Sequence, residues 1–174
     1  VLITQPKSDS NHSFDLFKNE SYQLLFSSTH DFVIVPHDVD SINTALEKYK
    51  NNIAIIIKRA HGTRHFVGKR EGFNIQALRK IHFEKARGAQ IVLDSCMTAL
   101  GVARNLSTLS GLEVLAPRGC HNQLRLSVDN RQRIEKAYFI YRGKLVNSNT
   151  FRKRKSPLTL FTREGAFSLK PAKL

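Results

Sequence analysis

Two apolar runs of the kind that form buried strands are the clearest pattern in this sequence. One covers residues 53–62 and ends in His61 and Gly62, and the other covers 89–96 and ends in Cys96. Short apolar runs bounded by turn residues are typical of strands buried on both faces of a parallel sheet. Because the carboxyl ends of parallel strands meet at one edge, the pattern brings an imidazole and a thiol together.

The periodicity of the neighbouring segments predicts helices between these strands. Asp40 and Ser41 are typical first residues of a helix, Asn74 is typical of a second, and Gly88 ends that second helix. A third helix is expected to begin at Met97. The predicted strands lie at 32–35 and 112–116, the predicted helices at about 40–50, 74–87 and 97–109, and a small hairpin at 63–72.

The alternation of strand and helix predicts an α/β fold with a mostly parallel sheet and helices on both faces, in three layers. The last third differs. Residues 123–128 alternate apolar and polar, and 137–141 with 144–146 form a predicted hairpin that turns at Arg142-Gly143. A second hairpin is predicted from 159–161 and 166–169. We therefore expect a single domain over 1–174, with a core at about 30–120 and a basic antiparallel extension at about 121–174.

The length of 174 residues suits one domain with one core. No apolar run approaches the roughly 18 residues that a membrane span needs, and no signal peptide stands out. The first residue is Val1 rather than Met. The sequence thus indicates a chain without a membrane span, excised from a longer protein.

Charge narrows the expected partners. Lys and Arg number 28 against 14 Asp and Glu, a net charge of +14, which favours a polyanion such as nucleic acid, an acidic membrane surface or a phosphorylated small molecule. A merely solvated basic surface is the alternative. The candidate polyanion-binding residues are Arg142, Lys144, Arg152, Lys153, Arg154 and Lys155.

Two cysteines are too few for a disulfide framework in a chain of this size. Cys96 ends a strand, where a nucleophile would be useful. Cys120 is interpreted as a small buried apolar group, and its neighbour His121 should point to the opposite face of an extended segment, so these two do not form a dyad. The histidines show no metal-ligand spacing and no phosphate-binding glycine loop is present, so neither a metal nor a nucleotide cofactor is expected.

A strand ending in His-Gly, a helix, and a strand ending in Asp-Ser-Cys together resemble the caspase-like (clan CD) cysteine peptidases. Residues 94–96 are similar to the nucleophile block of metacaspases, and 111–117 look like the strand that follows the nucleophile helix in bacterial members. The basic tail resembles the flap of self-cleaving toxin domains that inositol hexakisphosphate activates. One departure is that Met97-Thr98-Ala99 stands where metacaspases have His-Ser-Gly.

The resemblance implies that Cys96 is the nucleophile and that His61 protonates the departing amine. It places the oxyanion hole at the N–H groups of Gly62 and Cys96. A helix beginning near Met97 would direct its positive end at Cys96 and lower the pKa of the thiol.

Asp94 and Arg118 indicate opposite substrate preferences. In metacaspase-like relatives the position of Asp94 lines a pocket for Arg or Lys. Arg118, where the family builds its specificity pocket, could bind an acidic residue through a bidentate contact. The alternatives are that Asp94 caps the next helix and that Arg118 is simply exposed.

The resemblance predicts a cysteine endopeptidase that acts on a protein or peptide substrate as a domain of a bacterial toxin or effector, and it leaves open whether the chain cleaves itself. Its expected activator is inositol hexakisphosphate, and its expected location is the cytoplasm or a host cytosol. One alternative is a catalytically silent caspase-like scaffold. The other is a polyanion-binding module that stacks bases on Tyr138, Phe139 and Tyr141, although alternation along a strand should bury one side of that set, so nucleic acid is not the favoured partner.

Overall fold

The computed structural model of the chain describes residues 1–5, 31–65, 67, 74–131 and 133–152. Short 3-10 turns cover Phe83–Ala86 and Thr98–Leu100. The α-helices in these ranges are α1 (Val39–Lys48), α2 (Ile75–Leu78) and α3 (Val102–Ser110). The strands are β1 (Leu2–Gln5), β2 (Val33–Pro36), β3 (Ile55–Arg59), β4 (Gln90–Asp94), β5 (Glu113–Pro117), β6 (Gln123–Val128), β7 (Ile134–Tyr141), β8 (Lys144–Val146) and β9 (Ser148–Phe151).

Six strands form one sheet in the order β2-β1-β3-β4-β5-β9. The first five are parallel to their neighbours, and β9 runs antiparallel to β5. This arrangement confirms an α/β fold with a mostly parallel sheet. In the register of β3 and β4, Arg59 lies opposite Asp94, so the two strands end level with each other.

Alternate residues of the sheet strands belong to two separate apolar clusters. Ile56 and Ile91 pack with buried residues of the three described helices. Ile57 and Val92 pack instead with Phe139 and other residues of β6 and β7. Within the described ranges, therefore, the helices cover one face of the sheet and antiparallel strands cover the other, which differs from the expected helices on both faces.

The antiparallel extension forms a three-stranded sheet in the order β6-β7-β8. Its tight turn lies at Arg142 and Gly143, where φ is +49° and +77°. Two successive left-handed residues match the twist of a two-residue hairpin, so the predicted turn is confirmed. The second predicted hairpin, at 159–161 and 166–169, lies outside the described residues, as do most residues of the one predicted at 63–72.

Helix α1 begins earlier than predicted. Its cap is Asp38, whose carboxylate accepts the Ser41 amide hydrogen at 2.7 Å. Asn74 caps α2 as predicted by accepting from two backbone amides, yet α2 ends at Leu78 and the chain continues through a 3-10 turn. The predicted helix over 74–87 is thus two short pieces.

The segment after β4 also departs from a single helix. Met97 is left-handed, with φ +56°, and Gly101 interrupts the path between the 3-10 turn and α3. Helix α3 therefore begins at Val102 rather than near Met97. Its end is as predicted, because Gly111 adopts φ +70° and closes the last turn. None of the helices in the described ranges is long and apolar enough to cross a membrane.

Candidate active site

The turn after β3 packs directly on the turn after β4. A Cβ atom placed on Gly62 would lie 2.7 Å from Ser95 Cβ and 3.0 Å from the Cys96 carbonyl oxygen. Only a glycine permits so close an approach without displacing its neighbours. The structure thus brings together the His61-Gly62 and Cys96 motifs, while their catalytic roles stay predictions.

The His61 turn is held at both of its ends. It leaves β3 on one side, and on the other the Arg64 carbonyl accepts a hydrogen bond of 2.9 Å from the Val102 amide at the start of α3. A Cβ atom on Gly101 would lie 2.2 Å from that carbonyl oxygen. His61 itself is exposed. The imidazole is therefore open to solvent on a turn whose backbone is fixed.

Cys96 is half-buried, and its thiol donates to the His121 carbonyl oxygen over 4.0 Å. Burial is the main cause that raises the pKa of this thiol, and the Asp94 charge and the Cys120 side chain add to the rise. The predicted lowering by a helix N-terminus is wrong, since α3 begins six residues further along at Val102. The resting nucleophile candidate is a neutral thiol.

Asp94 lies at the centre of a buried polar network. One carboxylate oxygen accepts from Arg59 Nε at 3.0 Å, and the other contacts His121 Nε2 at 2.7 Å. Its side chain is 6% exposed. Asp94 belongs to β4 and not to a helix cap, so the capping alternative is wrong. A cationic substrate side chain would have to compete with Arg59 for this carboxylate.

Arg118 is exposed just past β5, and its amide donates to the Asn147 carbonyl oxygen at 2.7 Å. The carbonyl of its neighbour Gly119 accepts from the Met97 amide at 3.1 Å. The segment bearing Arg118 therefore borders the Cys96 turn, and Arg118 itself is exposed.

Two residues of the site, Arg59 and His121, were missed by the sequence analysis. The available signal for Arg59 was a cation at the carboxyl end of a strand that begins with three isoleucines. His121 is 3% exposed, meets the Phe139 ring edge-on at 4.9 Å, and has a buried Nδ1 without a hydrogen-bond partner. It was considered only as a partner of Cys120, whereas the fold pairs it with Asp94.

The basic candidates are divided between the two sheets. Arg142 and Lys144 are exposed at the β7–β8 turn, with the Arg142 guanidinium 5.3 Å from the centre of the Tyr141 ring. Arg152 follows β9 in the other sheet and forms an ion pair with Glu113. Lys153, Arg154 and Lys155 lie outside the described residues.

In the part of the chain that the structure describes, no group of three or more His, Cys, Asp or Glu side chains could hold a metal ion. No protein-family model matches this chain, and no curated protein matches it in sequence. The resemblance to caspase-like peptidases therefore rests on the sequence motifs alone.

Proposed function

We propose that this protein is a cysteine endopeptidase with a His61–Cys96 dyad. The observation that supports the proposal most is the packing of Gly62 against Ser95 and Cys96. Two strand ends separated by more than thirty residues meet in van der Waals contact, and each contributes a side chain suited to acyl transfer. We also propose that the chain has a three-layer caspase-like fold and is a domain of a bacterial toxin or effector that acts in a cytosol.

The proposed reaction follows from these positions. Cys96 passes its thiol proton to His61, its sulfur attacks the scissile carbonyl carbon, and the N–H groups of Gly62 and Cys96 receive the oxyanion. His61 donates a proton to the departing amine, and water then hydrolyses the thioester. Because burial raises the pKa of Cys96, only a small fraction is thiolate at neutral pH, so substrate binding must favour its ionisation.

For substrate preference, exposure favours Arg118 over Asp94. Arg118 is on the surface beside the Cys96 turn, whereas the Asp94 carboxylate already contacts Arg59 and His121. An exposed guanidinium is suited to bidentate binding of a carboxylate. We therefore propose an acidic residue before the scissile bond.

We further propose inositol hexakisphosphate as the activator. The net charge of +14 and the exposed Arg142 and Lys144 support a dense polyanion as ligand. Binding would neutralise the mutual repulsion of these positive charges, which would shift the population toward a conformation in which Cys96 can ionise.

The test is covalent labelling with acyloxymethyl ketone probes that carry Asp, Arg or Leu beside the reactive group. Wild type is compared with Cys96→Ala and His61→Ala, with and without inositol hexakisphosphate. Cys120→Ala and His65→Ala are matched controls, since both residues are exposed and close in sequence to the site. We expect labelling to require Cys96 and His61, to survive both controls, and to be fastest with Asp and the polyphosphate.

Absence of labelling by a folded protein under every condition would overturn the proposal and favour the silent scaffold. Labelling confined to Cys120 would also overturn it, because the reactive thiol would then be the exposed one.

A further inference from the structure

A second thiol lies beside the candidate nucleophile. Cys120 is exposed, so its interpretation as a buried apolar residue is wrong. Both cysteines are free thiols. An exposed cysteine next to a half-buried one is open to an oxidant and has a neighbour with which it can react.

Backbone and side-chain contacts fix where Cys120 lies. The Met97 amide donates to the Gly119 carbonyl oxygen at 3.1 Å, and the Cys96 thiol donates to the His121 carbonyl oxygen at 4.0 Å. These contacts flank Cys120 on both sides. Gly119 and His121 both contact the turn at Cys96 and Met97, so Cys120, which stands between them in the chain, lies beside Cys96.

The two sulfur atoms are near enough to interact directly. After burial and the His121 carbonyl, a hydrogen bond between the Cys96 and Cys120 side chains is the next influence on the pKa of the Cys96 thiol. A disulfide requires Cα atoms roughly 4.4–6.8 Å apart, so the two cysteines must lie side by side. The contacts of Gly119 and His121 with the Cys96 turn hold the two cysteines side by side in this way.

We propose that Cys96 and Cys120 form a reversible intramolecular disulfide when the protein meets a peroxide. This inference goes beyond the proposed peptidase function, since formation of the bond requires only the two thiols and an oxidant. Its consequence for a peptidase is direct: the sulfur atom of Cys96 would be bonded to Cys120 and could not attack a carbonyl.

The chemistry balances in two steps. The exposed Cys120 thiol reacts with hydrogen peroxide to give a sulfenic acid and one water molecule. The Cys96 sulfur then attacks the Cys120 sulfur, the S–S bond forms, and the sulfenic oxygen leaves with a proton as a second water. In total two thiols are oxidised and one peroxide is reduced. A dithiol reductant reverses the change by exchange.

The test is mass spectrometry of the whole protein before and after hydrogen peroxide. We expect wild type to lose the mass of two hydrogen atoms and to yield a cross-linked peptide pair containing residues 96 and 120. Dithiothreitol should restore the original mass and both free thiols. Matched Cys120→Ser and Cys96→Ser variants, each verified as folded, should form no intramolecular bond and should accumulate sulfinic acid that dithiothreitol does not reverse.

Sulfinic or sulfonic acid at the two cysteines of wild type, without the cross-linked peptide, would overturn the proposal. A disulfide found only between two molecules, with a yield that rises with protein concentration, would overturn it as well. None of these readouts depends on peptidase activity. If the disulfide forms and the ketone probes do not label the reduced protein, the peptidase proposal fails and this inference stands.

Discussion

At the residue scale, the Asp94 carboxylate joins three segments that must meet for the site to exist. It ends β4, accepts from Arg59 at the end of β3, and contacts His121 after β5. A carboxylate that is 6% exposed is costly to bury unless its charge is balanced and its oxygens are hydrogen-bonded. Here both conditions are met.

Replacing Asp94→Ala should lower the free energy of unfolding by about 3 kcal/mol, because it leaves the Arg59 charge buried without this carboxylate. Urea unfolding measures the change. Asp40→Ala, at an exposed position in the first turn of α1, is the control and should cost less than about 1 kcal/mol.

In a double-mutant cycle of Asp94→Ala with Arg59→Met, the double variant should be more stable than the sum of the two single changes predicts. Strict additivity would show that the ion pair contributes nothing.

At the element scale, the site depends on how closely the turn after β3 approaches the turn after β4. Adding a methyl group at Gly62 would crowd Ser95 Cβ, the Cys96 carbonyl oxygen and Thr98 Cγ2, the last at 3.0 Å. Two of these contacts belong to backbone or to the rigid base of a side chain. The His61 turn would therefore have to move.

Gly62→Ala should reduce probe labelling of Cys96 at least about tenfold while the protein remains folded, because a shift of about 1 Å at a reacting group has an effect of this size. The matched control is Gly143→Ala, where a Cβ atom meets nothing within 4 Å but φ is +77°. That change should cost about 1 kcal/mol of stability and leave labelling unchanged. Equal loss of labelling in both variants would mean that lowered stability, not the position of the turn, is responsible.

Some elements of the fold could be predicted from the sequence, and others could not. Strands β3, β4 and β5 and the turn at Arg142-Gly143 carry strong local signals, a short and mainly apolar run or a two-residue turn, and all four lie close to where they were predicted. Strand β9 is polar in three of its four positions, and its place is set by pairing with β5. Such pairing between distant segments leaves no local signal.

The break before α3 is a similar case. The pattern from residue 97 is compatible with a helix, but the chain bends at Gly101 because the Arg64 carbonyl occupies the adjacent space. Likewise, the link between Arg59 and Asp94 depends on the register of two strands. The positions of the motifs could be predicted from the sequence, and the contacts that join them could not.

At the scale of the whole molecule, stability should depend on pH through a buried lysine. Lys58 is 1% exposed in β3, and burial lowers its pKa from 10.5 to about 7. Between these two pH values the unfolded chain binds a proton that the folded protein does not, so the free energy of unfolding rises with pH across this interval. Below pH 7 both states are protonated and the full destabilisation persists.

Lys58→Met should therefore be more stable than wild type by an amount that is largest at or below pH 7 and falls to less than half by about pH 9.5. Urea unfolding at the two pH values measures the difference. Lys136→Met, at an exposed position of β7, is the control and should differ from wild type equally at both values. Parallel stability curves for wild type and Lys58→Met would contradict the prediction.

The net charge of +14 also acts on the molecule as a whole, since like charges repel most in the compact state. A ligand with many phosphates that binds the folded protein should stabilise it by about 2.7 kcal/mol at a hundred times its dissociation constant. Inositol hexakisphosphate should thus raise the melting temperature at moderate salt, and the rise should shrink as salt is added. Unchanged melting at moderate salt would rule out the activator.

Arg142 and Lys144 at the β7–β8 turn allow a test of where inositol hexakisphosphate binds. Arg142→Ala with Lys144→Ala removes two positive charges from the antiparallel sheet, whereas Arg79→Ala with Lys80→Ala removes two from the end of α2 on the helical side. If the β7–β8 turn contacts the polyphosphate, the first pair should weaken binding about tenfold in a titration followed by melting temperature, because charge-assisted contacts are lost. The second pair should weaken it far less. Equal weakening by both pairs would indicate that only the overall charge matters and that this turn is not part of the binding site.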